Sequence, residues 1–249
     1  MITRGRSAKS SDREPQALGG RILIEIMGPA AAGKTTLLRA LCSQDERIRA
    51  GLPLGKARYF LPSLRRLGAF FPLWILHHRR DRWLDRREMR SIARLETWSR
   101  ALQAEPAPPP GSVAIFDHGP LYRLARLQEF GPALAQSEPF QRWWNGSWQR
   151  WFAALDVVVV LEAPDAVLLQ RIDERGHWFL GADHPREEKQ EFLARYRRAL
   201  SRILEGPGRA PTILRFRTDE TSVGKIAAEV LTVIWTMRSI GDGKERSGR

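Results

Sequence analysis

Cysteine is almost absent from this chain of 249 residues, which has a single one, Cys42. One cysteine excludes an internal disulfide and any metal site built from several thiolates. It also favours a reducing compartment, so we expect a cytoplasmic protein. Acidic residues are scarce as well, 28 against 41 Lys and Arg, which leaves a net charge of +13. Such an excess is typical of proteins that contact nucleic acid, anionic membranes or phosphorylated ligands.

Long apolar runs are absent too. No run approaches the about 20 residues that a membrane-spanning helix needs. The nearest, residues 67–76, is short and is interrupted by Pro72. Basic residues 79–90 follow it, so peripheral membrane contact stays open, although interior packing of the apolar part is the simpler interpretation. Residues 1–20 are polar and basic without the apolar segment of a secretory signal, and we expect a flexible arm there.

The most informative motif begins directly after the strand-like run Ile22–Met27. Residues 28–36 read GPAAAGKTT and contain a complete G-x-x-x-x-G-K-T phosphate-binding loop, the Walker A motif. Lys34 would contact the β- and γ-phosphates, and the Thr35 hydroxyl would hold Mg²⁺. The motif therefore predicts binding of a nucleoside triphosphate with Mg²⁺. The predicted nucleotide-binding residues are Gly28, Pro29, Ala30, Ala31, Ala32, Gly33, Lys34, Thr35 and Thr36.

Hydrophobic patterning predicts strands that alternate with helices. Such alternation is typical of an α/β fold, with a parallel sheet of about five strands and helices on both faces, in three layers. The predicted strands cover residues 21–27, 57–61, 113–117, 156–161 and 212–216. The predicted helices cover residues 34–43, 63–104, 121–130, 139–155, 164–174, 186–205 and 222–240.

Three charged residues outside the loop are candidates for catalysis. Asp117 ends an apolar strand, where it would hold Mg²⁺ through water or accept a proton from an attacking hydroxyl. The alternative is that Asp117 has a purely structural role and caps a helix. Arg171 and Arg175 lie four apart on one predicted helical face, where they would neutralise the charge of a transferring phosphoryl group. The alternative is that both arginines belong to an ordinary charged, solvent-exposed helix face.

These pieces occur in an order that resembles the P-loop nucleoside and nucleotide kinases, especially thymidylate kinase-like and deoxynucleoside kinase-like proteins. The resemblance covers the phosphate loop, the strand that ends at Asp117, the segment VVVVLEAPDAVLLQRIDERG and the helix EFLARYRRAL. It also covers PTILRFRTDETSVGKIAAEV, whose loop borders the adenine in the family. One departure is that His118 follows the acidic residue where the family has Arg, and Arg123 or Arg126 could replace that charge.

The resemblance implies a P-loop NTPase fold with a lid, and an ATP- and Mg²⁺-dependent transfer of phosphate to a small-molecule acceptor. The acceptor would be a nucleotide, a nucleoside or a similar hydroxyl compound. Relatives are often dimers, which makes a homodimer an expectation. The implied kinase domain covers residues 21–240, with the acceptor region at about 52–110, the lid at about 175–189 and a flexible tail at 241–249. Residues 52–110 match no segment of the family.

Two other functions remain open at this stage. A P-loop ATPase or switch is disfavoured because the chain lacks both an N-K-x-D guanine motif and an L-S-G-G-Q-like signature. A polynucleotide-end kinase that binds nucleic acid is suggested by the charge and nine tryptophans, but the helical spacing of Trp143, Trp144, Trp148 and Trp151 also fits a buried face. The basic residues 79–90 could bind a phosphorylated acceptor, although a solvated helix face is the simpler interpretation.

Overall fold

The computed structural model describes residues 21–52, 68–72, 75, 82–103, 111–175, 185–205 and 210–247. Five strands alternate with seven long helices in this described part. The strands are β1 (Ile22–Met27), β2 (Ile48–Ala50), β3 (Val113–Asp117), β4 (Val157–Glu162) and β5 (Thr212–Arg217). The helices are α1 (Lys34–Cys42), α2 (Arg86–Gln103), α3 (Pro120–Phe130), α4 (Glu138–Ala154), α5 (Asp165–Arg175), α6 (Arg186–Leu204) and α7 (Val223–Ser247), with a 3₁₀ turn at Ala133–Gln136.

The five strands form one parallel sheet in the order β2-β3-β1-β4-β5. Strand β1 is central, and its Ile26 pairs with Asp117 of β3 and Val159 of β4. Because all strands run the same way, their carboxyl ends meet at one edge, where ligands of such folds bind. The predicted α/β fold with a parallel sheet of about five strands is therefore confirmed.

Helices cover both faces of the sheet and divide the apolar side chains into two cores. Helices α2, α3, α4 and α6 pack on one face, while α1, α5 and α7 pack on the other. Alternate residues of each strand serve the two cores, since successive side chains point to opposite faces. In β1, Leu23 and Met27 join the first core, and Ile24 and Ile26 join the second. Burial on both sides explains why β1 and β4 read as nearly continuous apolar runs.

The structure differs from the sequence predictions at one edge of the sheet and at the last helix. Strand β2 is Ile48–Ala50, a short edge strand with only its first residue buried. The second strand predicted at 57–61 lies outside the described residues, as do the arm 1–20 and lid residues 176–184. Helix α7 runs to Ser247, past the end predicted at residue 240; its last residues contain no proline, which would have ended the helix.

The tryptophan-rich helix α4 is part of the core. Trp151 is fully buried and meets Phe116 edge to face, with ring centroids 6.0 Å apart. The half-buried Trp144 and Trp148 donate their indole N–H groups to backbone carbonyls, those of Leu124 and Ile203. Burial and hydrogen bonding explain these side chains without a bound nucleic acid.

Candidate active site

The phosphate-binding loop connects β1 to α1 in a conformation that requires its glycines. Gly28 has φ 145°, and a Cβ there would lie 2.4 Å from the carbonyl oxygen of Leu161 in β4. Gly33 has φ 90° and begins α1. Ala31 also has a positive φ, 61°, which is uncommon for a residue with a Cβ. The sheet and helix together hold this strained loop in place, as expected at a ligand site.

Lys34 is folded into the loop and is only 7% exposed. Its Nζ donates hydrogen bonds of 2.9 Å and 2.7 Å to the carbonyls of Gly28 and Pro29. Burial lowers the pKa of Lys34 to about 8, with Asp117 opposing and Arg175 reinforcing the shift. A bound anion would oppose this shift, because it favours the charged ammonium. An anion beside Lys34 would therefore raise the pKa of its ammonium group toward the ordinary value.

Thr35 and Asp117 meet at the edge of the sheet, where β1 and β3 end. The Thr35 hydroxyl donates a 2.6 Å hydrogen bond to Oδ2 of Asp117. The other carboxylate oxygen, Oδ1, is buried and has no hydrogen-bond partner among the described residues. A hydroxyl beside a carboxylate with an unsatisfied oxygen fits Mg²⁺, a hard cation that takes few protein ligands beside water and phosphate. Among the described residues, no group of three or more His, Cys, Asp or Glu side chains forms a separate metal site.

Glu25 is a site residue that the sequence analysis did not single out. It lies within β1 and is completely buried on the face that α3 covers. Its carboxylate accepts hydrogen bonds of 2.9 Å and 2.8 Å from the backbone N–H groups of Leu121 and Tyr122, in the first turn of α3. Desolvation by burial raises the pKa of Glu25 to about 7, although these two hydrogen bonds oppose the shift. The one signal in the sequence is a lone acid inside an otherwise apolar strand.

The Glu25 carboxylate also shapes the turn that follows Asp117. A Cβ on Gly119 would lie 2.6 Å from the Glu25 carboxyl carbon, so the turn needs glycine at that position. Pro120 then occupies the first position of α3, where its missing N–H costs nothing. His118, which lies between Asp117 and Gly119, adopts a left-handed backbone with φ 57°. The turn thereby presents His118 beside the phosphate loop.

His118 does not supply the positive charge of the family's arginine. Burial lowers the pKa of His118 to about 4, and Lys34 adds to the shift while Asp117 opposes it. The ring is therefore neutral at pH 7, and its Nδ1 lies 3.4 Å from Oδ1 of Asp117 without forming an ion pair. It packs edge to face on Tyr122, with ring centroids 4.5 Å apart.

A cavity of about 430 Å³ opens directly from the phosphate loop, between α2, α3 and α6. It includes Lys34 and His118 at the loop end, and Phe130 stacks on Phe192 with ring centroids 4.8 Å apart. Arginines line much of the remaining wall, from both α2 and α3. Of residues 79–90, Arg87 and Arg90 line this cavity and are also exposed, so the interpretation as a solvated helix face is not contradicted. The lining arginines are Arg87, Arg90, Arg94, Arg123 and Arg126.

Arg123 and Arg126, the candidates to replace the family's arginine, both lie in this cavity wall. Arg123 donates a 3.2 Å hydrogen bond to the Ser91 hydroxyl, and its guanidinium lies 5.3 Å from the ring centroid of Trp98. Arg126 donates to the hydroxyl of Tyr122 at 3.4 Å. These contacts hold two cations on the first turns of α3, close to His118 in the chain.

Arg171 and Arg175 lie on α5 in different surroundings. Arg171 donates two hydrogen bonds to Thr218, one to its hydroxyl at 3.0 Å and one to its carbonyl at 2.9 Å. This joins α5 to the turn after β5, the turn that borders the adenine in the family. Arg175 ends α5, is exposed, and is close enough to lower the pKa of Lys34. Neither arginine lines the cavity, and the lid predicted after Arg175 is outside the described residues up to 184.

Comparisons with known proteins agree with this architecture. No family model and no curated protein matches the chain. Among solved structures, thymidylate kinase from Candida albicans is 17% identical, with 87% of this chain and 92% of that chain covered at a TM-score of 0.51. Deoxyadenosine kinase from M. mycoides is 12% identical, with 85% and 100% covered at 0.49. The YorR protein from Bacillus subtilis, in complex with phosphorylated GDP, is 16% identical, with 88% and 98% covered at 0.48.

The likeness to thymidylate kinase shows a shared fold. The resemblance to the P-loop nucleoside and nucleotide kinases drawn from sequence motifs is thus confirmed at the level of architecture. Within the described part of the chain, no helix is long and apolar enough to cross a membrane.

Proposed function

We propose that this protein is an ATP-dependent phosphotransferase, a small-molecule kinase that acts on a nucleotide, a nucleoside or a similar acceptor. One observation carries the proposal: the phosphate loop opens at Lys34 into an acceptor-sized cavity of about 430 Å³. A kinase needs space for a second substrate next to the γ-phosphate, whereas an ATPase or a switch needs only water there. Volumes of this size are usual for small-molecule sites.

The proposed reaction transfers the γ-phosphoryl group of ATP to an acceptor oxygen held in the cavity. The bond from the γ-phosphorus to the β–γ bridging oxygen breaks, a new P–O bond to the acceptor forms, and ADP leaves. Where the acceptor oxygen is a hydroxyl, its proton goes to Asp117 or to water. Such transition states need mainly positioning of the reactants and stabilisation of negative charge. The positively charged side chains of the protein would therefore contribute most of the catalysis.

Each candidate residue has a role in this scheme. Lys34 would exchange its two carbonyl contacts for the β- and γ-phosphates, and backbone N–H groups of residues 28–36 would surround the β-phosphate. Thr35 and Asp117 would hold Mg²⁺, which neutralises phosphate charge when bound. Arg175, with the lid, would neutralise the transferring group, while Arg171 would fix the turn at Thr218 near the adenine.

The test is ADP formation by the purified protein with Mg²⁺ and ATP, across nucleosides, nucleoside monophosphates, sugar phosphates and a single-stranded oligonucleotide with a 5′-hydroxyl. We expect acceptor-dependent ADP formation that is abolished in Lys34→Ala, because the ammonium at the phosphates is lost. Arg150→Ala, an exposed change on α4, is the control and should keep wild-type turnover. Slow hydrolysis without dependence on any acceptor would favour an ATPase or switch. Activity only with the oligonucleotide would favour a polynucleotide-end kinase.

A further inference from the structure

A groove separate from the active-site cavity lies at the opposite edge of the sheet. It has a volume of about 350 Å³ and lies between α7 and the segment that joins α1 to β2. Strands β2 and β3 begin on this side, whereas the phosphate loop follows the end of β1. Because a strand of six residues is about 20 Å long, a ligand in the groove would not touch the phosphate loop. The lining residues are Gln44, Asp45, Arg47, Leu231, Trp235 and Arg238.

Two arginines of the groove lie against one aromatic ring. The guanidinium carbons of Arg47 and Arg238 are 6.0 Å and 5.5 Å from the ring centroid of Trp235, within the range of cation–π contacts. Trp235 is half-buried on α7, and Leu231, one turn earlier, continues the apolar surface. The groove therefore combines a flat aromatic surface with two cations.

Arg238 is held in place by a glycine at the start of β3. A Cβ on Gly111 would lie 2.7 Å from the Cζ, the Nε and the Nη2 of Arg238. Since these three distances are equal, the guanidinium plane packs its face against Gly111. Gly111 has φ 74°, a backbone conformation that glycine adopts without strain. The position of the arginine is thus built into the fold.

The charge of Arg238 is not taken up by an ion pair. Although it is half-buried, Arg238 forms no hydrogen bond and no ion pair with any described residue. Asp45 is the one acid among the described lining residues, and its Oδ1 already accepts the backbone N–H and the Nε of Arg47, at 2.8 Å and 3.1 Å. Arg238 therefore keeps its N–H donors available to an anion in the groove.

The chemistry of a nucleotide matches this combination. A phosphate accepts hydrogen bonds from a guanidinium group, and a base stacks on an aromatic ring or on a guanidinium plane. An inorganic anion would leave the aromatic surface unused, and a neutral aromatic molecule would leave Arg238 without a counter-charge. The net charge of +13 also favours the approach of polyanions.

We propose that this groove binds a nucleotide unit, with the phosphate on Arg238 and the base against Trp235 and Arg47. A free nucleotide and a single-stranded nucleic acid both supply this unit. The groove lies apart from the phosphate loop, so the inference does not depend on the proposed phosphotransferase function.

The test measures binding of a fluorescently labelled oligothymidylate, with thymidine monophosphate as the competitor. All proteins carry Lys34→Ala, which disables the phosphate loop as a competing site. We expect Arg238→Gln to weaken binding of the strand about tenfold, because a charged hydrogen bond to phosphate is lost. The slope of log affinity against log salt should fall by about 0.7, the value for one phosphate contact on a single strand. Arg150→Gln removes the same charge at an exposed position on α4 and should change the affinity little.

Replacement of Trp235 separates a nucleotide site from a general cationic surface. Trp235→Leu removes the ring without changing the charge and should weaken binding about tenfold, because base stacking is lost. Trp235→Phe retains a ring and should keep most of the affinity. Urea unfolding of both variants shows whether each is folded, and Trp235→Phe with Arg238→Gln completes the test if Trp235→Leu is not.

The outcomes decide the inference and the source of the nucleotide unit. Equal weakening by Arg150→Gln and Arg238→Gln, or full binding by folded Trp235→Leu, would show general electrostatic attraction and overturn the inference. Absence of binding for both probes would overturn it as well. Thymidine monophosphate that binds as tightly as the strand would support a free nucleotide as the ligand. A strand that binds at least about tenfold tighter would support single-stranded nucleic acid.

Discussion

Glu25 makes the strongest quantitative prediction because it is an ionisable group buried in the centre of the sheet. Its two carboxylate oxygens accept the N–H groups of Leu121 and Tyr122 at 2.9 Å and 2.8 Å, and its exposure is zero. Burial raises its pKa from 4.5 to about 7. The folded state therefore holds the Glu25 proton more tightly than the unfolded state does.

The sign and size of the effect on stability follow from proton linkage. A carboxyl group with a raised pKa contributes stability that is fully present below the unfolded pKa, here 4.5, and is lost as the pH rises to about 7. Each pH unit in that window costs about 1.4 kcal/mol of unfolding free energy, about 3 kcal/mol in all. Above pH 7 both states are ionised, and the contribution of Glu25 no longer changes.

Replacement of Glu25 by Gln isolates this contribution. The amide has nearly the same shape, but its NH₂ group faces one of the two N–H donors, which costs about 1–3 kcal/mol. We expect Glu25→Gln to be less stable than wild type at pH 5. Between pH 5 and pH 8 the difference should move by about 3 kcal/mol in favour of the variant, since the variant has no proton to lose at this site.

Urea unfolding followed by tryptophan fluorescence at pH 5, 6, 7 and 8 measures the difference. Glu138→Gln is the matched control, because the Glu138 side chain is 83% exposed and its removal should leave the pH profile parallel to that of wild type. Parallel profiles for Glu25→Gln as well, with a constant penalty at every pH, would refute the linkage and show that Glu25 stays in one ionisation state.

Three further substitutions test the phosphate loop and the end of α5. Gly28→Ala should lose nucleotide binding and about 3 kcal/mol or more of unfolding free energy, because its Cβ would lie 2.4 Å from a backbone oxygen at φ 145°. Gly33→Ala is the control, because no atom lies within 4 Å of a Cβ at that position. It should lower the unfolding free energy only by the cost of a left-handed backbone, about 1–2 kcal/mol. Equal losses for the two variants in urea unfolding would contradict this reasoning. Arg175→Ala should lower kcat by about 10²-fold or more with little change in ATP affinity, if the guanidinium acts on the transferring phosphoryl group. Steady-state kinetics decide this, and weaker ATP binding at unchanged kcat would assign Arg175 to ground-state binding.

The parts of the fold that the sequence predicts well are those with a local cause. Strands β1, β3 and β4 are buried on both faces, so each is visible as an apolar run, and the phosphate loop follows β1 at a fixed spacing. Strand β2 has no such signal, since Ile48 is its one buried residue and its pairing with Val113 depends on tertiary contact.

The features of the site that local sequence patterns do not settle depend on contacts between distant segments. Glu25 resembles an ordinary strand residue until the first turn of α3, 96 residues later, donates to it. The arginines of α2 resemble a solvated face, and only the position of α3 and α6 turns that face into a cavity wall. Local patterns identify the phosphate loop because one segment supplies all of its residues, whereas the cavity beside it is lined by residues from three helices.

The turn at His118 shows why a residue-by-residue comparison with the kinase family is unsafe where a site is built from distant segments. His118 occupies the position that an arginine has in the kinase family. Its imidazole ring has a pKa of about 4, so it is uncharged at pH 7 and cannot replace the positive charge of that arginine. The left-handed backbone at His118 is unfavourable for a residue with a Cβ, and the contacts of Glu25 with α3 hold it in place. The same helix brings Arg123 and Arg126 to the cavity wall. Arg123 and Arg126 therefore place positive charge on α3 at the wall of the cavity, shortly after the turn at His118.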